Sequence, residues 1–251
     1  MKDKEFEGKI EGRNSVLEAL KSDRTINKIL VSKGEREGSI KKIIALAKEK
    51  KIVLQEVLRQ KLDEIAETKA HQGVIAFVSP IEYVDVSDIL DEAKRKGEVP
   101  FVIILDEICD PHNFGAILRT ANAVGVHGVV IPKRRAVSVS SIVSKASAGA
   151  VEYVKVARVS NIANTIDYLK ENGLWVYGIE KKGESKFYET DLRGAVCLVI
   201  GSEGNGISNL VAKKCDFLLN IPMKGEITSL NASVAGAVVM YEVLKQREQK
   251  K

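Results

Sequence analysis

The chain has 251 residues, of which 45% are hydrophobic and 29% charged, and these values exclude a disordered protein and a collagen-like repeat. The length allows one large domain or two modest ones, and the net charge of +5 indicates an anionic partner only weakly. The longest apolar run, residues 234–241, is too short to cross a bilayer, and residues 1–7 contain no apolar segment of a signal peptide. Three cysteines without a C-x-x-C pair, and only three histidines, argue against a disulfide framework and a zinc site. We therefore expect a cytoplasmic protein with no membrane or metal partner.

Residues 1–80 alternate between helical and strand-like patterns and are predicted to form a small α/β domain. The expected elements are, in order, a helix over 14–20 with Asn14 or Ser15 as N-cap, a strand over 27–32, a helix over 39–50, a strand over 52–55, a helix over 58–68 and a strand over 72–78 that Pro80 ends. The basic excess belongs to this region, which holds 17 Lys and Arg against 13 Asp and Glu. Its lysines, among them Lys41, Lys42 and Lys48, fit either a solvated helix face or a nucleic-acid footprint.

A polar, acidic connector over 81–100, with a short helix over 86–96, separates this region from a second domain predicted over 101–251. The second domain opens with an apolar strand over 101–106. The elements expected after it are helices over 115–125, 140–150, 162–172 and 229–247, and strands over 128–132, 152–156, 174–179, 195–201 and 217–221. This alternation predicts an α/β fold with a parallel sheet covered by helices on both faces.

The first stretch that can carry chemistry runs from Asp106 to Thr120, where a strand leads through a loop into a helix expected to start near Asn113 or Phe114. Asn113 is placed either to cap that helix or to serve a site. Arg119 lies among apolar and small residues, so it is either paired in the interior or directed at an anion.

The second stretch, residues 199–208, runs from an apolar strand into a loop with three glycines, which lets a ligand approach the backbone closely. Its order, G-x-x-G-x-G late in the chain with Glu203 inside, fits a Rossmann dinucleotide site poorly, and the chain has no P-loop sequence. A tight turn is the competing explanation.

The third stretch, residues 219–233, runs from a strand that ends at Pro222 to a helix expected to start at Thr228 or Ser229. Ser229 and Asn231 can be helix caps or site residues. Small residues in the following helix allow close packing, either within the chain or across a dimer.

Taken together, these stretches resemble a known family. N-F-G-A-I-L-R-T at 113–120, V-I-G-S-E-G-N-G at 199–206, and I-P-M with S-L-N-A-S-V-A at 221–235 are similar to the three motifs of the SpoU/TrmH (SPOUT) RNA ribose methyltransferases. The resemblance spans about residues 101–247. G-R-N-S-V-L-E-A-L at 12–20 and H-Q-G at 71–73 resemble the L30e-like RNA-binding domain that precedes the methyltransferase domain in one branch. The run D-P-H-N-F-G at 110–115, continued to Gly128, points to the branch of bacterial 23S rRNA guanosine 2′-O-methyltransferases.

The resemblance implies a SPOUT fold with a C-terminal trefoil knot, S-adenosylmethionine (AdoMet) as methyl donor, and a homodimer. It implies a donor pocket built by the loops 201–206, 221–224 and 229–231, with these donor-binding residues: Gly201, Gly204, Ile221, Met223 and Leu230. Arg119 would lie at the ribose hydroxyl and the adjacent phosphate. The residues implied to orient it and the substrate, or to complete their network, are Asn113, Glu203, Ser229 and Asn231.

Large-subunit ribosomal RNA is the implied substrate, with contacts expected from Arg13 in the first domain and from the loop Lys133, Arg134 and Arg135. An aromatic content of only 5% favours recognition of shape, loops and phosphates over base stacking. Two alternatives stay open: a 2′-O-methyltransferase acting on tRNA or, as resistance enzymes do, on an rRNA adenosine, and a non-catalytic RNA-binding assembly factor. The intact set of motif residues argues against the last.

Overall fold

The structure is a computed structural model that describes residues 8–22, 24–34, 37–68, 70–78, 82–226 and 228–249. The chain divides into two compact units. The N-terminal unit comprises Met1–Glu82 and Ser138–Tyr153, and the C-terminal unit comprises Tyr83–Val137 and Val154–Lys251. Pro80 and Ile81, which were expected to end the last strand of the first domain and to open the connector, lie outside the described residues.

The helices and strands follow one another through both units. Up to the connector they are β1 (Gly8–Glu11), α1 (Arg13–Lys21), β2 (Ile26–Ser32), α2 (Ser39–Glu49), β3 (Val53–Val57), α3 (Arg59–Ile65) and β4 (Val74–Val78). Beyond it they are α4 (Val86–Lys96), β5 (Phe101–Asp106), α5 (Pro111–Ala123), β6 (Gly128–Pro132), α6 (Ser141–Ala146), β7 (Lys155–Val159), α7 (Ile162–Glu171), β8 (Trp175–Ile179), β9 (Ser185–Lys186), β10 (Val196–Gly201), α8 (Asn209–Lys214), β11 (Phe217–Asn220) and α9 (Ala232–Glu248).

The N-terminal unit is built on a mixed four-stranded sheet in the order β1-β4-β2-β3. Along its central strands, successive side chains point to opposite faces of the sheet, as in any pleated strand. On β2, Ile29 and Val31 join the core beneath α1 and α2, whereas Leu30 packs with Leu62 of α3. The α/β character predicted for this region is confirmed, although β1 was not predicted.

The segment Ser138–Tyr153, which contains α6, belongs to the N-terminal unit although it is distant from that unit in sequence. Glu152 forms an ion pair of 2.6 Å with Arg24, and their side chains are only 2% and 12% exposed. Burial raises the pKa of Glu152, and the charge of Arg24 opposes that shift. Lys145 Nζ adds a hydrogen bond of 2.9 Å to the carbonyl of Ala70. This segment is therefore anchored by charged groups as well as by packing.

Two boundaries around this segment were predicted wrongly. The helix expected over 140–150 ends at Ala146, because Ala148 and Gly149 take positive φ angles of 52° and 89°, which a right-handed helix does not allow. The strand expected over 152–156 is β7, which begins at Lys155.

The C-terminal unit contains seven parallel strands in the order β7-β6-β5-β10-β8-β11-β9. On one face α4, α7 and α8 contribute Ile89, Ile166 and Val211 to a common core. On the other face α9 lies against β10, where a Cβ atom at Gly236 would come within 2.6 Å of Ile200 Cδ1, and α5 packs beside α9. The predicted parallel sheet covered by helices is confirmed. Among the described residues, no helix is both long enough and apolar enough to traverse a bilayer.

Three predicted helix starts differ from the structure. The N-cap of α1 is Gly12, with φ 90°, rather than Asn14 or Ser15. Helix α5 begins at Pro111, with the Asp110 side chain accepting from the backbone N–H of His112, because proline fits the first helical turn. Helix α9 begins at Ala232, three to four residues later than expected, and its N-cap is Asn231.

Candidate active site

The candidate site lies at the carboxyl ends of neighbouring parallel strands of the C-terminal unit. β10 lies between β5 and β8, and its last residue, Gly201, is aligned with Asp106 of β5. In open α/β sheets, ligands bind at this edge. The loops that follow β8, β10 and β11 line a cavity of about 290 Å³, at the lower end of the range of small-molecule pockets.

The glycine-rich loop after β10 closes on itself. Ser202 and Gly206 exchange backbone hydrogen bonds of 3.1 and 2.9 Å. A Cβ atom at Gly201 would lie 2.1 Å from the carbonyl carbon of Gly206, so this closure requires glycine at position 201. The loop is fastened at its far end by Asp106, whose carboxylate accepts from the Ser208 N–H at 2.8 Å.

Three polar side chains from different parts of the chain meet beside this loop. Asn113 Nδ2 donates to Glu203 Oε1 at 2.9 Å, and Asn231 Nδ2 donates to Asn113 Oδ1 at the same distance. Asn231 Nδ2 also contacts Glu203 Oε1. Asn113 is buried in α5, whereas Glu203 is exposed and lines the cavity. The structure therefore brings together three of the five predicted catalytic residues.

Asn231 also caps α9. Its Oδ1 accepts from the backbone N–H groups of Ser233 and Val234 at 3.0 and 3.3 Å. Of the three capping interpretations, that of Asn231 is confirmed. Those of Asn113 and Ser229 are wrong, because Asp110 and Asn231 occupy the cap positions of the two helices.

The remaining predicted site residues fall into two groups. All five residues predicted to bind the donor line the cavity, and so does Ser229: Gly201, Gly204, Ile221, Met223 and Leu230. Arg119 does not line it. It is exposed on α5, and in the described part of the chain its guanidinium has no hydrogen bond or ion pair. The interpretation of an arginine paired in the interior is wrong, and its use against an anion stays a prediction.

None of the residues predicted to contact RNA is among those that line this cavity in the described ranges. Lys133, Arg134 and Arg135 follow β6 and are exposed, and Arg135 pairs with Glu107 at 3.0 Å. In the N-terminal unit, the half-buried Arg13 donates to the carbonyl of Gln72 at 3.0 Å, so part of its hydrogen-bonding capacity serves the fold.

One wall of the cavity was not predicted from the sequence. Glu180 and Lys181 follow β8, and Thr228 precedes α9. Lys181 Nζ donates to Thr228 Oγ1 at 2.7 Å. A charged Glu-Lys-Lys-Gly run directly after a predicted strand was the available signal, but only the strand order places it next to the glycine loop. Nowhere in the described ranges do three or more His, Cys, Asp or Glu side chains gather in a way that could hold a metal ion.

The chain belongs to the SpoU rRNA Methylase family, whose model matches residues 100–241. A second family model, RNA 2′-O ribose methyltransferase substrate binding, matches residues 9–84. The family resemblance inferred from the motifs is confirmed. The protein is an RNA methyltransferase, and AdoMet is the methyl donor of its family.

Individual proteins agree with this assignment. The chain is 49% identical over 236 residues to YacO of Bacillus subtilis (strain 168), named as a TrmH family tRNA/rRNA methyltransferase, with 94% of each chain covered. It is similar in fold to the SpoU methyltransferase AviRb from Streptomyces viridochromogenes in complex with AdoMet, with a TM-score of 0.81, 22% identity, and 96% of this chain and 91% of that chain covered. It is also similar to a solved RNA 2′-O ribose methyltransferase, with a TM-score of 0.78, 25% identity, and coverage of 95% and 88%.

Proposed function

We propose that this protein transfers a methyl group from AdoMet to the 2′-hydroxyl of a guanosine ribose in 23S rRNA. The observation that carries the proposal is the hydrogen-bonded set Asn113, Glu203 and Asn231 beside a cavity lined by all five residues expected to bind the donor. The similarity to a solved RNA 2′-O ribose methyltransferase supports the ribose as methyl acceptor.

The residues around the cavity fit AdoMet. The absence of a side chain at Gly201 lets the glycine loop close, and four residues of this closed loop that line the cavity would contact the donor: Gly201, Gly204, Asn205 and Gly206. Ile179, Ile200 and Leu230 add apolar surface suited to an adenine ring. Glu203 adds a negative charge suited to a cationic donor.

Bound AdoMet supplies an electrophilic methyl group on a positively charged sulfur. The chain must then orient the ribose hydroxyl and stabilise the negative charge that develops on its oxygen. Arg119, whose guanidinium stays protonated, would do the latter and grip the neighbouring phosphate. The O–CH₃ bond would form as the S–CH₃ bond breaks, S-adenosylhomocysteine would leave, and the hydroxyl proton would pass to solvent water. Asn113, Asn231 and Glu203 would fix the geometry around it, with Ser229 completing the network at the cavity wall.

Replacement of Arg119 tests this electrostatic role. We expect Arg119→Ala to lower the methyl-transfer rate by a factor of about 10² to 10³, the usual loss when one charge-stabilising donor is removed. Because Arg119 does not line the cavity, donor affinity measured by calorimetry stays within about twofold. Arg119→Lys, which keeps the charge but not the two-pronged geometry, recovers part of the rate. A collapse of donor affinity together with activity would contradict the assignment.

The substrate is tested by radiolabelled methyl transfer to unmethylated 23S rRNA and to unmethylated tRNA, followed by mapping of the labelled nucleotide. We expect label on the 2′-oxygen of one guanosine of 23S rRNA. Label on tRNA, a possibility that the name of YacO includes, or on an rRNA adenosine would replace the proposed substrate. Absence of transfer to every RNA would favour the non-catalytic assembly factor.

We also propose that the protein is a cytoplasmic homodimer and that its C-terminal part forms the trefoil knot implied by the resemblance. Val234 and Tyr241, seven residues apart on α9, are 47% and 52% exposed and share one helix face, which supports an apolar contact with a second copy. Sedimentation of the wild type against Tyr241→Glu tests the dimer, since a buried charge would dissociate it.

A further inference from the structure

The turn after β8 places one lysine side chain at the cavity wall. The carbonyl of Lys181 accepts from Asn220 Nδ2 at 2.6 Å, which fastens the backbone of the turn to the end of β11. The side chain reaches across to Thr228, where Nζ donates to Oγ1 at 2.7 Å. Both Lys181 and Thr228 line the cavity. The ammonium group is exposed and lies at the cavity wall, where it bonds to Thr228.

The charge of this ammonium group is not neutralised. Its partner, the hydroxyl of Thr228, is uncharged, and no salt bridge joins Lys181 to an acidic group in the part of the chain that the structure describes. Glu180, the adjacent carboxylate, accepts from the backbone N–H groups of Lys181 and Ile207 at 3.0 and 3.5 Å. Glu203 accepts from the two asparagines. Both carboxylates that line the cavity therefore accept from neutral N–H groups and do not pair with the Lys181 ammonium group.

The charged side chains of the cavity complement those of the donor. The lining contains two carboxylates, Glu180 and Glu203, and one ammonium group, Lys181. AdoMet has the opposite set, namely a sulfonium and an α-ammonium group together with one carboxylate. A cation whose partner is neutral can bind an anion by a charge-assisted hydrogen bond, which is stronger than the bond to a hydroxyl.

We infer that Lys181 binds the carboxylate of the methionine part of AdoMet and thereby selects ligands that carry this amino-acid tail. The inference rests on the proposed function, because it places the donor in this cavity. The product, S-adenosylhomocysteine, keeps the carboxylate and would be bound in the same way. 5′-Methylthioadenosine lacks the tail and would gain nothing from Lys181.

Calorimetric titration with S-adenosylhomocysteine and with 5′-methylthioadenosine separates the contribution of the amino-acid tail to binding from that of the adenosyl part. We expect Lys181→Met to weaken binding of S-adenosylhomocysteine by about tenfold, the size of one charge-assisted hydrogen bond, and to leave binding of 5′-methylthioadenosine within about twofold. Lys181→Arg keeps the cation and restores most of the loss. The matched control is Lys182→Met, which removes the neighbouring exposed lysine that does not line the cavity and should change neither affinity.

Equal losses for both ligands in Lys181→Met would overturn the inference, because Lys181 would then only brace the turn. Unchanged affinity for S-adenosylhomocysteine would overturn it as well. If the wild type bound neither adenosyl ligand, the donor site itself would be wrong, and the proposed function would fail together with the inference.

Discussion

Asn231 performs two tasks with the two ends of one amide group. Its oxygen caps α9, and its nitrogen holds Asn113 and Glu203. The start of the last helix and the polar cluster beside the cavity are thereby fixed by the same side chain. A residue that is explained as a helix cap can therefore also be a site residue.

Two substitutions of Asn231 separate these tasks. Asn231→Ala removes both and should lower the free energy of unfolding by about 1 kcal/mol, the usual value of an N-cap. Asn231→Ser keeps an oxygen for the cap but loses the amide donor, so stability should stay within a few tenths of a kcal/mol of the wild type. We expect both variants to lose methyl transfer by roughly tenfold or more, since the amide contact is worth at least one hydrogen bond. Urea unfolding and single-turnover rates would measure this, and activity that merely followed stability would argue against a role in the site.

His127 is a buried histidine whose protonation depends on its burial and on its hydrogen-bond partners. Its ring Nδ1 accepts from the Phe101 N–H at 3.0 Å, and its Nε2 lies 3.0 Å from Glu98 Oε2. Burial lowers the pKa of His127 below its usual value of about 6.5, and the Glu98 carboxylate opposes that shift. A protonated ring would place a hydrogen on Nδ1 against the Phe101 N–H.

Stability should therefore depend on the protonation of His127. Because the folded state binds this proton less readily than the unfolded state, stability is complete above pH about 6.5 and falls as the pH drops below it. Thermal midpoints between pH 5 and 8 should show a shallower acid loss in His127→Gln than in the wild type. His112→Gln, at an exposed position, serves as the control and should keep the wild-type dependence. The same acid loss in His127→Gln as in the wild type would contradict this assignment.

At the level of elements, the closed loop after β10 depends on one missing side chain. A Cβ atom at Gly201 would meet three backbone atoms of Gly206 and Ile207 within 2.4 Å, and backbone cannot swing aside as a flexible side chain can. Gly201→Ala should therefore displace the loop, cost about 1–3 kcal/mol of stability, and lower affinity for S-adenosylhomocysteine at least tenfold in calorimetry.

Gly194→Ala is the matched control for that substitution, because a Cβ atom there meets no heavy atom within 4 Å. It should change neither the thermal midpoint nor the affinity. Wild-type affinity in Gly201→Ala would mean that the loop can re-form without its present closure.

Some helices, strands and cavity walls could be predicted from the sequence, and others could not. The continuous apolar run of β5 predicted a buried parallel strand, that of β10 predicted an apolar strand, and the motif stretches predicted most of the cavity lining. Helix α8 was missed because six residues show too little of a helical period. The wall around Lys181 was missed because it adjoins the glycine loop only through the placement of β8 beside β10, and strand order depends on long-range packing.

At the level of the whole molecule, the basic excess of the first third includes three exposed lysines on one helix. Lys41, Lys42 and Lys48 lie on α2, all exposed, and none has an ion-pair partner among the residues that the structure describes. Exposed lysines without acidic partners fit both the solvated helix face and the nucleic-acid footprint. The footprint therefore stays a prediction.

Replacement of these three lysines by alanine should weaken RNA binding without changing donor affinity. If each contacts one phosphate, the slope of log affinity against log salt concentration should fall by about two to three. Fluorescence anisotropy with an rRNA fragment, in a series of KCl concentrations, measures it. A triple variant with the same charge change in the C-terminal unit, Lys94, Lys182 and Lys213 to alanine, should lower the slope by less. Equal slopes in the two triple variants would contradict the placement of these phosphate contacts on α2.

The buried ion pair of Arg24 and Glu152 matters for the design of chimeras that exchange the N-terminal unit between relatives. The chain passes between the two units at residues 82–83, 137–138 and 153–154. A chimera that takes only the leading residues from a relative without an arginine at position 24 would leave the Glu152 carboxylate desolvated without its counter-charge, which costs about 3–5 kcal/mol. Modules for different RNAs should therefore be transplanted as two stretches of sequence at once, the leading residues together with Ser138–Tyr153.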